Sequence, residues 1–293
     1  MSVSDAAQAT FEEHRALLLG VAYRIVGQMS DAEDVVQEAW LRWSSIDHAE
    51  VRDPRAFLVR VVTRLSIDRL RRIRARRESY VGDWLPEPLP TADGPEGNVE
   101  RRDSVSMALL VVLETLSPLE RAVFVLREAF GFTHAEIAEA LGRTEEAVRQ
   151  LARRAREHVE ERRPRFASDP VSQRRVADRF LAAALTGDLA ALIRVLSPGV
   201  TLTTDSGGHV RAPLRALEGA EKVARFLAAI SARGLPGPSA VVMELNGAPA
   251  IVVRSEGAPV AAFALDVDGE LIERIYLIAN PAKITRLGVA QPN

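Results

Sequence analysis

The chain has 293 residues, of which 47% are hydrophobic, as in a globular protein with room for two or three small domains. It contains no cysteine, which excludes disulfides, thiolate metal sites and cysteine nucleophiles. The formal net charge is only −2, but the charge is unevenly distributed. Residues 51–80 carry ten arginines against three acidic residues, whereas residues 81–120 carry two arginines against eight acidic residues. This pattern favours separate DNA contacts joined by a segment that phosphate repels.

Several classes of protein are disfavoured by what the sequence lacks. The N-terminus has no basic region followed by an apolar run, and no stretch reaches the roughly 18 apolar residues that cross a bilayer. No HExxH motif, phosphate-binding glycine loop or metal-ligand spacing is present. We therefore expect a cytoplasmic protein with no membrane segment, no cofactor and no metal site.

Three amphipathic helices are predicted in the N-terminal region. The segment DAEDVVQEAW, residues 31–40, has acidic residues in its first turn and leaves Asp34, Gln37 and Glu38 outside the apolar stripe. The third helix begins after Asp53–Pro54 and runs into the sequence RRIRARR, residues 71–77. Its arginines lie opposite its apolar stripe, which predicts a phosphate-binding face, although a solvated helix end would give the same pattern.

A proline- and glycine-rich segment follows at residues 82–98, and it cannot form a regular helix. Its motif DWLPEP, residues 83–88, places Trp84 and Leu85 where a flexible linker normally has no large apolar side chain. We expect these two residues to dock on another surface. Packing of Trp84 on the helical domain is one alternative.

The stretch from Phe132 to Arg165 predicts a helix-turn-helix. Thr133 and Glu136 form a capping box, Gly142 ends the first helix and Thr144 can cap the second. The second helix has an apolar stripe and an opposite face that suits base recognition in a major groove, formed by Glu146, Arg149, Gln150 and Arg153. An ordinary helix pair with a solvated arginine face is the alternative. A second capping box, Ser117 with Glu120, begins the same domain.

The pattern changes after Asp169–Pro170. Helical stripes precede a strand at residues 200–204, a helix spans about residues 220–231, and four further apolar runs follow. Asn246–Gly247 and Asp268–Gly269 read as hairpin turns, so we expect an antiparallel meander in an α+β domain.

The first half of the chain resembles the extracytoplasmic-function sigma factors of bacteria. The resemblance rests on AYRIVGQMSDAEDVVQEAWLRW, DPRAFLVRVVTRLSIDRLRR and SPLERAVFVLREAFGFTHAEIAEALGRTEEAVRQLARRAREHV, within residues 10–165. It implies core RNA polymerase and promoter DNA as partners. By this resemblance the following residues would bind the clamp helices of the largest polymerase subunit: Asp31, Glu33, Asp34, Gln37 and Glu38.

The same resemblance assigns two DNA-binding sets. The −10 element would be met by Arg60, Thr63, Arg64, Arg69, Arg71 and Arg72. The −35 element would be met by Thr144, Glu146, Arg149, Gln150, Arg153 and Arg154. A factor of this kind has no catalytic residue; it stabilises opened strands once polymerase is held at a promoter. The linker of such factors threads into the polymerase.

The last part of the chain is similar to the SnoaL-like branch of the nuclear-transport-factor-2 (NTF2) superfamily, a cone-shaped fold with a pocket. Sigma factors with this extension form a subgroup in which the extension modulates activity in cis. The resemblance implies a regulatory role for Asp83, Trp84, Leu85, Pro86, Glu87, Pro88, Asp205, Ser206, Gly207, Gly208, Asn280 and Pro281. The subgroup's turn reads DGGGK, whereas Ser206 and His209 replace a glycine and the lysine here.

We therefore expect two all-α domains followed by an α+β NTF2-like cone domain. The predicted boundaries are 1–80 for sigma domain 2, 81–106 for the linker, 107–168 for sigma domain 4 and 169–293 for the SnoaL-like domain. A small ligand in the last domain is left open. One alternative is a one-component DNA-binding regulator that senses a ligand without polymerase. Another is a SnoaL-like enzyme, with Asp205, His209 and Arg211 as its proton-transfer residues, fused to a DNA-binding module.

Overall fold

A computed structural model describes residues 3–77, 80–91, 106–162 and 169–288. These residues form two compact units. The helical unit contains residues 3–77 and 109–162. The sheet-containing unit contains residues 80–91, 106–108 and 169–288. The described part of the predicted linker therefore belongs to the same unit as the C-terminal residues.

Three long helices open the helical unit, as predicted: α1 (Val3–Val26), α2 (Met29–Ser44) and α3 (Pro54–Arg77). Gly27, whose φ of 83° lies in the left-handed region, separates α1 from α2. All three helices pack against one another, and the buried Trp43 donates its indole N–H to the carbonyl oxygen of Ala7 over 2.8 Å. The apolar stripes read from the sequence form this core.

Among the described residues the helical unit also contains α4 (Met107–Leu113) from residue 109 onward, α5 (Pro118–Phe124, continued by a π-helical turn at Val125–Ala129), α6 (His134–Leu141) and α7 (Glu145–Arg162). Both predicted capping boxes are present, at Ser117 with Glu120 and at Thr133 with Glu136. Gly142, with φ of 64°, ends α6 in a left-handed cap. The helix-turn-helix is therefore confirmed as α6 and α7.

Within this unit, α3 packs against α5 and α6 as well as against α1 and α2. Arg74 of α3 donates to the carbonyl oxygens of Glu114 and Leu116, at distances of 3.0 and 2.6 Å. The side chain of Glu114 forms ion pairs with Arg77, at 2.5 Å, and with Arg121. Arg121 also donates to the carbonyl oxygen of Arg24 over 2.8 Å. The basic end of α3 is thus partly committed to contacts inside the protein.

The sheet-containing unit begins with α8 (Pro170–Thr186) and α9 (Leu189–Val195). Its remaining elements are β1 (Leu196–Asp205), β2 (Leu217–Glu218), α10 (Ala220–Ala232), β3 (Pro238–Leu245), β4 (Ala248–Ser255), β5 (Ala258–Asp268), β6 (Leu271–Ile278) and α11 (Pro281–Ile284). The six strands form one sheet in the order β2-β1-β6-β5-β4-β3.

The pairing of this sheet corrects one prediction. Strands β3 to β6 form the expected antiparallel meander, with turns at Asn246–Gly247 and after Asp268. However, β1 pairs with β6 in parallel, from Thr201 opposite Arg274 to Asp205 opposite Ile278. The sheet is therefore mixed, because β1 and β6 are joined through α10 and the meander, and not by a hairpin. Helices α8 and α10 cover one face, where Phe180, Val223 and Leu265 are buried.

In the described ranges 3–77, 80–91, 106–162 and 169–288, no helix is long and apolar enough to span a membrane. The same ranges hold no cluster of three or more histidine, cysteine, aspartate or glutamate side chains that could bind a metal ion.

Glu114 is expected to stabilise the helical unit through its arginine partners. Burial alone would raise the pKa of this carboxyl, but the charges and hydrogen bonds of Arg121 and Arg77 outweigh burial and lower the pKa. Glu114→Gln should therefore reduce the free energy of unfolding of this unit by about 3 kcal/mol, because two buried guanidinium groups lose their counter-charge. Urea unfolding at pH 7 measures this loss.

The contribution of Glu114 to the unfolding free energy should depend on pH. A depressed carboxyl pKa stabilises the fold above the unfolded-state pKa, and this stabilisation is lost as the pH falls through the folded-state pKa. The difference between wild type and Glu114→Gln should therefore shrink in acid. An exposed pair, Glu12 with Arg15, provides the control, since Glu12→Gln should change the unfolding free energy little. Equal losses in both variants would contradict this account.

Candidate functional sites

The acidic face of α2 carries the five residues assigned to polymerase. Glu33, Asp34, Gln37 and Glu38 are exposed, and Asp31 is partly buried. Glu38 forms an ion pair with Arg42 one turn later, at 2.7 Å. Asp31 and Asp34 both pair with Arg69 of α3, at 2.5 and 2.9 Å. One helical face therefore presents carboxylate and amide groups to solvent.

The six residues of α3 assigned to the −10 element are not equivalent in the structure. Arg71 and Arg72 are exposed and bond to Asp68 of their own helix, at 3.0 and 3.3 Å. Arg64 donates its Nε–H to the carbonyl oxygen of Ala140, at the C-terminus of α6, over 2.8 Å. Arg60 lies over the ring of Phe57, 5.1 Å from its centroid. Arg69 points to α2.

Thr63 is the assigned residue that the structure least favours as a DNA contact. It is fully buried, and its hydroxyl has no hydrogen-bond partner among the described residues. The hydroxyl of Ser66, one turn further along α3, is in the same situation. Leaving a hydroxyl buried without a partner costs about 1–3 kcal/mol. Thr63 can therefore contact DNA only in another arrangement of the helical unit.

The six residues assigned to the −35 element lie at the start of α7 and along its solvent face. Thr144 accepts the N–H of Ala147 at 3.2 Å, so its predicted capping role is confirmed. The other five residues are all exposed: Glu146, Arg149, Gln150, Arg153 and Arg154. Arg149 pairs with Glu145 at 2.7 Å and with Glu146 at 3.5 Å. Arg149 on this exposed face is thus paired with neighbouring carboxylates of its own helix.

The DWLPEP segment lies on the C-terminal part of the chain in a stretch that we call the strap, residues 80–91. The strap is held mainly by contacts with Asp205, the last residue of β1, whose side chain is fully buried. One carboxylate oxygen accepts the hydroxyl of Tyr80 at 2.5 Å. The other accepts the N–H of Leu85 at 2.8 Å and pairs with the ammonium of Lys283 at 2.5 Å.

Lys283 of α11 completes this cluster, which we call the latch: Tyr80, Trp84, Leu85, Asp205, Asn280 and Lys283. Its side chain is 2% exposed. The ammonium donates to the carbonyl oxygen of Leu85 at 2.5 Å and lies 3.8 Å from the centroid of the Trp84 ring. Trp84 thus supplies a cation–π contact to a buried ammonium. The alternative, in which Trp84 packs on the helical domain, is not needed to explain this aromatic residue.

The glycine turn and the Asn280–Pro281 pair fit around the latch. Asn280 caps α11 through the N–H of Ala282, with Pro281 at the first helical position, and its side-chain amide donates to the Tyr80 hydroxyl at 2.8 Å. Gly207 has a φ of 57°, and a Cβ atom there would lie 2.7 Å from the amide nitrogen of Asn280. A side chain at this position would therefore strain the backbone and displace the amide of Asn280. The hydroxyl of Ser206 accepts the N–H of Gly208 at 3.3 Å.

The second half of the strap continues along β3. The buried Glu87 pairs with Arg286 at 3.3 Å. Leu89 donates its N–H to the side-chain oxygen of Asn246 at 3.0 Å, and Asn246 returns its own N–H to the carbonyl oxygen of Leu89 at 2.8 Å. Thr91 donates its N–H to the carbonyl oxygen of Glu244 at 3.0 Å. Pro86 and Pro88 are buried between these contacts.

Asp83 is the strap residue that opposes this arrangement. Burial raises the pKa of its carboxyl, and repulsion by the charge of Asp205 raises it further. An acid whose pKa rises on folding destabilises the folded state when ionised, so Asp83 costs stability as the pH rises through its raised pKa.

The proposed proton-transfer group is not assembled. Asp205 is buried and accepts three hydrogen bonds within the latch, whereas His209 and Arg211 are exposed on the following loop. The carboxylate of Asp205 is thus occupied by donors within the protein and makes no hydrogen bond or ion pair with His209 or Arg211 among the described residues.

Sequence reasoning missed Tyr80, Lys283, Asn246 and Arg286 in the strap contacts. One signal was available for Lys283, because it is one of two lysines in a chain that otherwise uses arginine. Arginine's broad, rigid guanidinium fork suits bidentate pairing, while lysine's compact ammonium fits between a carboxylate and an indole ring.

Comparison with known proteins gives consistent matches over nearly the whole chain. The family model for Sigma-70 region 2 matches residues 10–77, and that for Sigma-70, region 4 matches residues 106–159. The ECF RNA polymerase sigma factor SigJ of Mycobacterium tuberculosis is 45% identical over 231 residues, covering 78% of this chain and 74% of that protein. A probable ECF RNA polymerase sigma factor, SigI, of the same species is 32% identical over 290 residues, covering 98% of both chains.

A solved structure extends this similarity to the fold. The crystal structure of Mycobacterium tuberculosis SigJ aligns with a TM-score of 0.76 at 38% identity, covering 95% of this chain and 98% of that chain. The helical regions and the C-terminal sheet-containing region therefore both have counterparts in one solved protein.

Removal of the Lys283 ammonium is expected to release the strap. In Lys283→Met the carboxylate of Asp205 stays buried without its counter-charge, which should cost about 3–5 kcal/mol in the unfolding free energy of the sheet-containing unit. Limited proteolysis should then cut residues 80–91 faster than in wild type. Lys222→Met is the matched control, because Lys222 is the other lysine and is exposed. Equal cleavage rates in the two variants would contradict the latch.

Proposed function

The chain belongs to the extracytoplasmic-function RNA polymerase sigma factors, and on that premise we propose a role for each of its surfaces. In this proposal α2 binds core RNA polymerase, α3 and α7 read the −10 and −35 promoter elements, and the sheet-containing unit regulates both through the strap. The observation that carries the proposal is that the acidic α2 face and the arginine face of α7 are both exposed within one helical unit.

We propose that the acidic face of α2 docks on the clamp helices of the largest polymerase subunit. Supporting this, the exposed groups Asp34, Gln37 and Glu38 recur at the spacing of one helical face, and their apolar neighbours are buried in the core. A helix that presents carboxylates and an amide suits a basic partner helix, and electrostatic complementarity would favour rapid association.

DNA reading by α7 is supported by the geometry of its exposed face. Arg149 and Arg153 lie on the same side, and each can form a bidentate pair with guanine. Their ion pairs with Glu145, Glu146 and Glu157 are solvent-exposed and therefore weak. Little free energy is therefore lost when Arg149 and Arg153 leave these carboxylates to bind base edges.

Engagement of the −10 element by α3 would require the helical unit to open. Arg64 cannot keep its bond to Ala140 while α6 separates from α3, and Thr63 is buried in the present arrangement. Opening would expose the unpaired hydroxyls of Thr63 and Ser66 to water or DNA, which offsets part of the cost of separating the helices.

We propose that the strap acts as a brake on transcription. The residues between α3 and α4 connect the proposed −10-reading helix to the helices that include the proposed −35-reading helix α7, and twelve of them, 80–91, are bound to the C-terminal residues. A chain segment spans at most about 3.3–3.6 Å per residue, so fixing these residues shortens the reach of the linker. Release of the strap would restore the full reach of the linker and would allow the DWLPEP motif to enter the polymerase.

We propose further that the C-terminal unit has no enzymatic role. Asp205, the acidic residue best placed for proton transfer, is engaged by Tyr80, Leu85 and Lys283. The unit would then serve as a support for the strap, and a small ligand would act by competing with the strap for the latch.

Transcription by purified core polymerase from the chain's own upstream region tests the main proposal. Specific initiation is expected only when the chain is added. Arg149→Ala and Arg153→Ala should each cost about 1–3 kcal/mol at the −35 element and spare unrelated sequences, because bidentate base contacts discriminate between bases. Arg194→Ala, on the exposed surface of α9, serves as a control. Equal losses on all DNA sequences would make these arginines phosphate contacts.

The same assay tests the brake. Lys283→Met should raise initiation several-fold above wild type, because it weakens strap attachment, whereas Lys222→Met should not change it. Lower initiation by Lys283→Met would contradict a braking role, and unchanged initiation would separate the strap from regulation. A melting curve of the helical unit confirms that both variants keep the promoter-reading helices folded.

A further inference from the structure

We infer that Arg69 is a positioning residue for polymerase docking and not a DNA contact. This inference rests on the proposed function of the α2 face and assigns Arg69 to a different partner from the one implied by the family resemblance. The guanidinium of Arg69 extends from α3 to α2 and binds two of the five residues assigned to polymerase.

The contact is a clamp made by one guanidinium on two carboxylates. Nε of Arg69 donates to Asp31 at 2.7 Å, and a terminal nitrogen lies 2.5 Å from the same oxygen. That terminal nitrogen also donates to Asp34 at 2.9 Å. The planar guanidinium fixes the directions of these bonds, so it sets the position of both carboxylates relative to α3.

The two carboxylates differ in exposure, and this difference separates their roles. The side chain of Asp31 is 16% exposed, whereas that of Asp34 is 61% exposed. Asp31 therefore serves as the inner anchor of the clamp. Asp34 offers one oxygen to Arg69 and keeps most of its surface available to a partner. The hydrogen bond with Asp31 raises the pKa of Arg69 despite partial burial, which is consistent with a stable inner pair.

Two neighbouring arginines of α3 differ from Arg69, because they make no hydrogen bond or ion pair with α2 among the described residues and remain available to DNA. Arg71 and Arg72 are exposed, and their bonds to other described residues are to Asp68 of their own helix. They can turn to a phosphate without breaking a contact between helices. If Arg69 were to bind DNA it would abandon both Asp31 and Asp34, which would leave the inner carboxylate of Asp31 without its counter-charge.

A positioning role and a merely neutralising role for Arg69 predict opposite effects of its removal on polymerase binding. If its positive charge merely neutralised the acidic face, removal would strengthen binding to a basic partner. If it positions Asp34, removal would weaken binding, because the carboxylate would lose its fixed orientation. Asp34 remains 61% exposed in the pair, so Arg69 does not block it, and we expect weaker binding.

The test measures binding of the full chain to core RNA polymerase and, separately, binding of the assembled complex, at saturating chain, to promoter DNA. Arg69→Gln should weaken polymerase binding by roughly three- to thirtyfold, the range of a charge-assisted hydrogen bond in partly exposed surroundings. Its DNA affinity should match wild type. Arg69→Lys keeps the charge without the fork and should fall between wild type and Arg69→Gln. Arg72→Gln should show the reverse pattern, with weaker DNA binding, and Arg15→Gln serves as a distant control on α1.

A second variant guards against effects on folding. Asp31→Asn removes the inner anchor without altering α3, and it should reproduce the polymerase-binding loss of Arg69→Gln. The double variant should lose no more than either single variant, because both changes break one clamp.

Weaker DNA binding by Arg69→Gln with unchanged polymerase binding would overturn the inference, and so would tighter polymerase binding. Additive losses in the double variant would also contradict a shared clamp. If the wild-type chain itself does not bind core polymerase, the proposed function of α2 fails, and that result is distinct from either outcome for Arg69.

Discussion

The carboxylate of Asp205 lies at the buried end of β1, where it would be very costly without a counter-charge, and the position of the strap depends on how that charge is neutralised. Lys283 supplies the ammonium, Tyr80 and Leu85 supply the remaining donors, and Trp84 covers the ammonium with its ring. Because two of these donors and the ring belong to the strap, the C-terminal residues 169–288 cannot satisfy Asp205 fully without it. The neutralisation of the buried Asp205 charge is therefore coupled to the conformation of the segment that connects α3 to α4.

Ion pairing also determines which arginines of the helical unit are exposed. Some arginines form contacts between helices, and others lie on the surface. Arg74, Arg77 and Arg121 serve internal contacts around Glu114, and Arg69 holds carboxylates of α2. Arg71, Arg149 and Arg153 are exposed and, within the part of the chain that the structure describes, pair with carboxylates of their own helices. A run of arginines therefore does not by itself define a nucleic-acid surface. The ion pairs within the protein decide which side chains remain available to phosphate or bases.

Local chemistry made much of the fold predictable. The capping boxes at Ser117 and Thr133, the glycine end of α6 and the hairpin turns each depend on a few neighbouring residues, and the structure has all of them. The parallel pairing of β1 with β6 was not predictable from periodicity, which says which face is buried but not which strand lies alongside. The partners of Asp205 were missed for a similar reason, since Lys283 lies 78 positions further along the chain. The same holds for the commitment of Arg69 to α2, 38 positions earlier.

Hydrogen exchange at the strap amides, compared between the free chain and the chain bound to core RNA polymerase, tests the central claim most directly. The account predicts that the N–H groups of Leu85, Leu89 and Thr91, which are hydrogen-bonded on the sheet-containing unit, exchange slowly in the free chain. They should exchange faster in free Lys283→Met. In the polymerase complex the bonds to Asp205 and Asn246 should be lost, with the amides of Asn246 and Gly247 on the other side of the strap becoming unprotected as well. The opposite result would be unchanged protection of the Asn246 and Gly247 amides from exchange in an actively initiating complex. That result would contradict the account, because the strap would remain bound during the step that it is proposed to restrain.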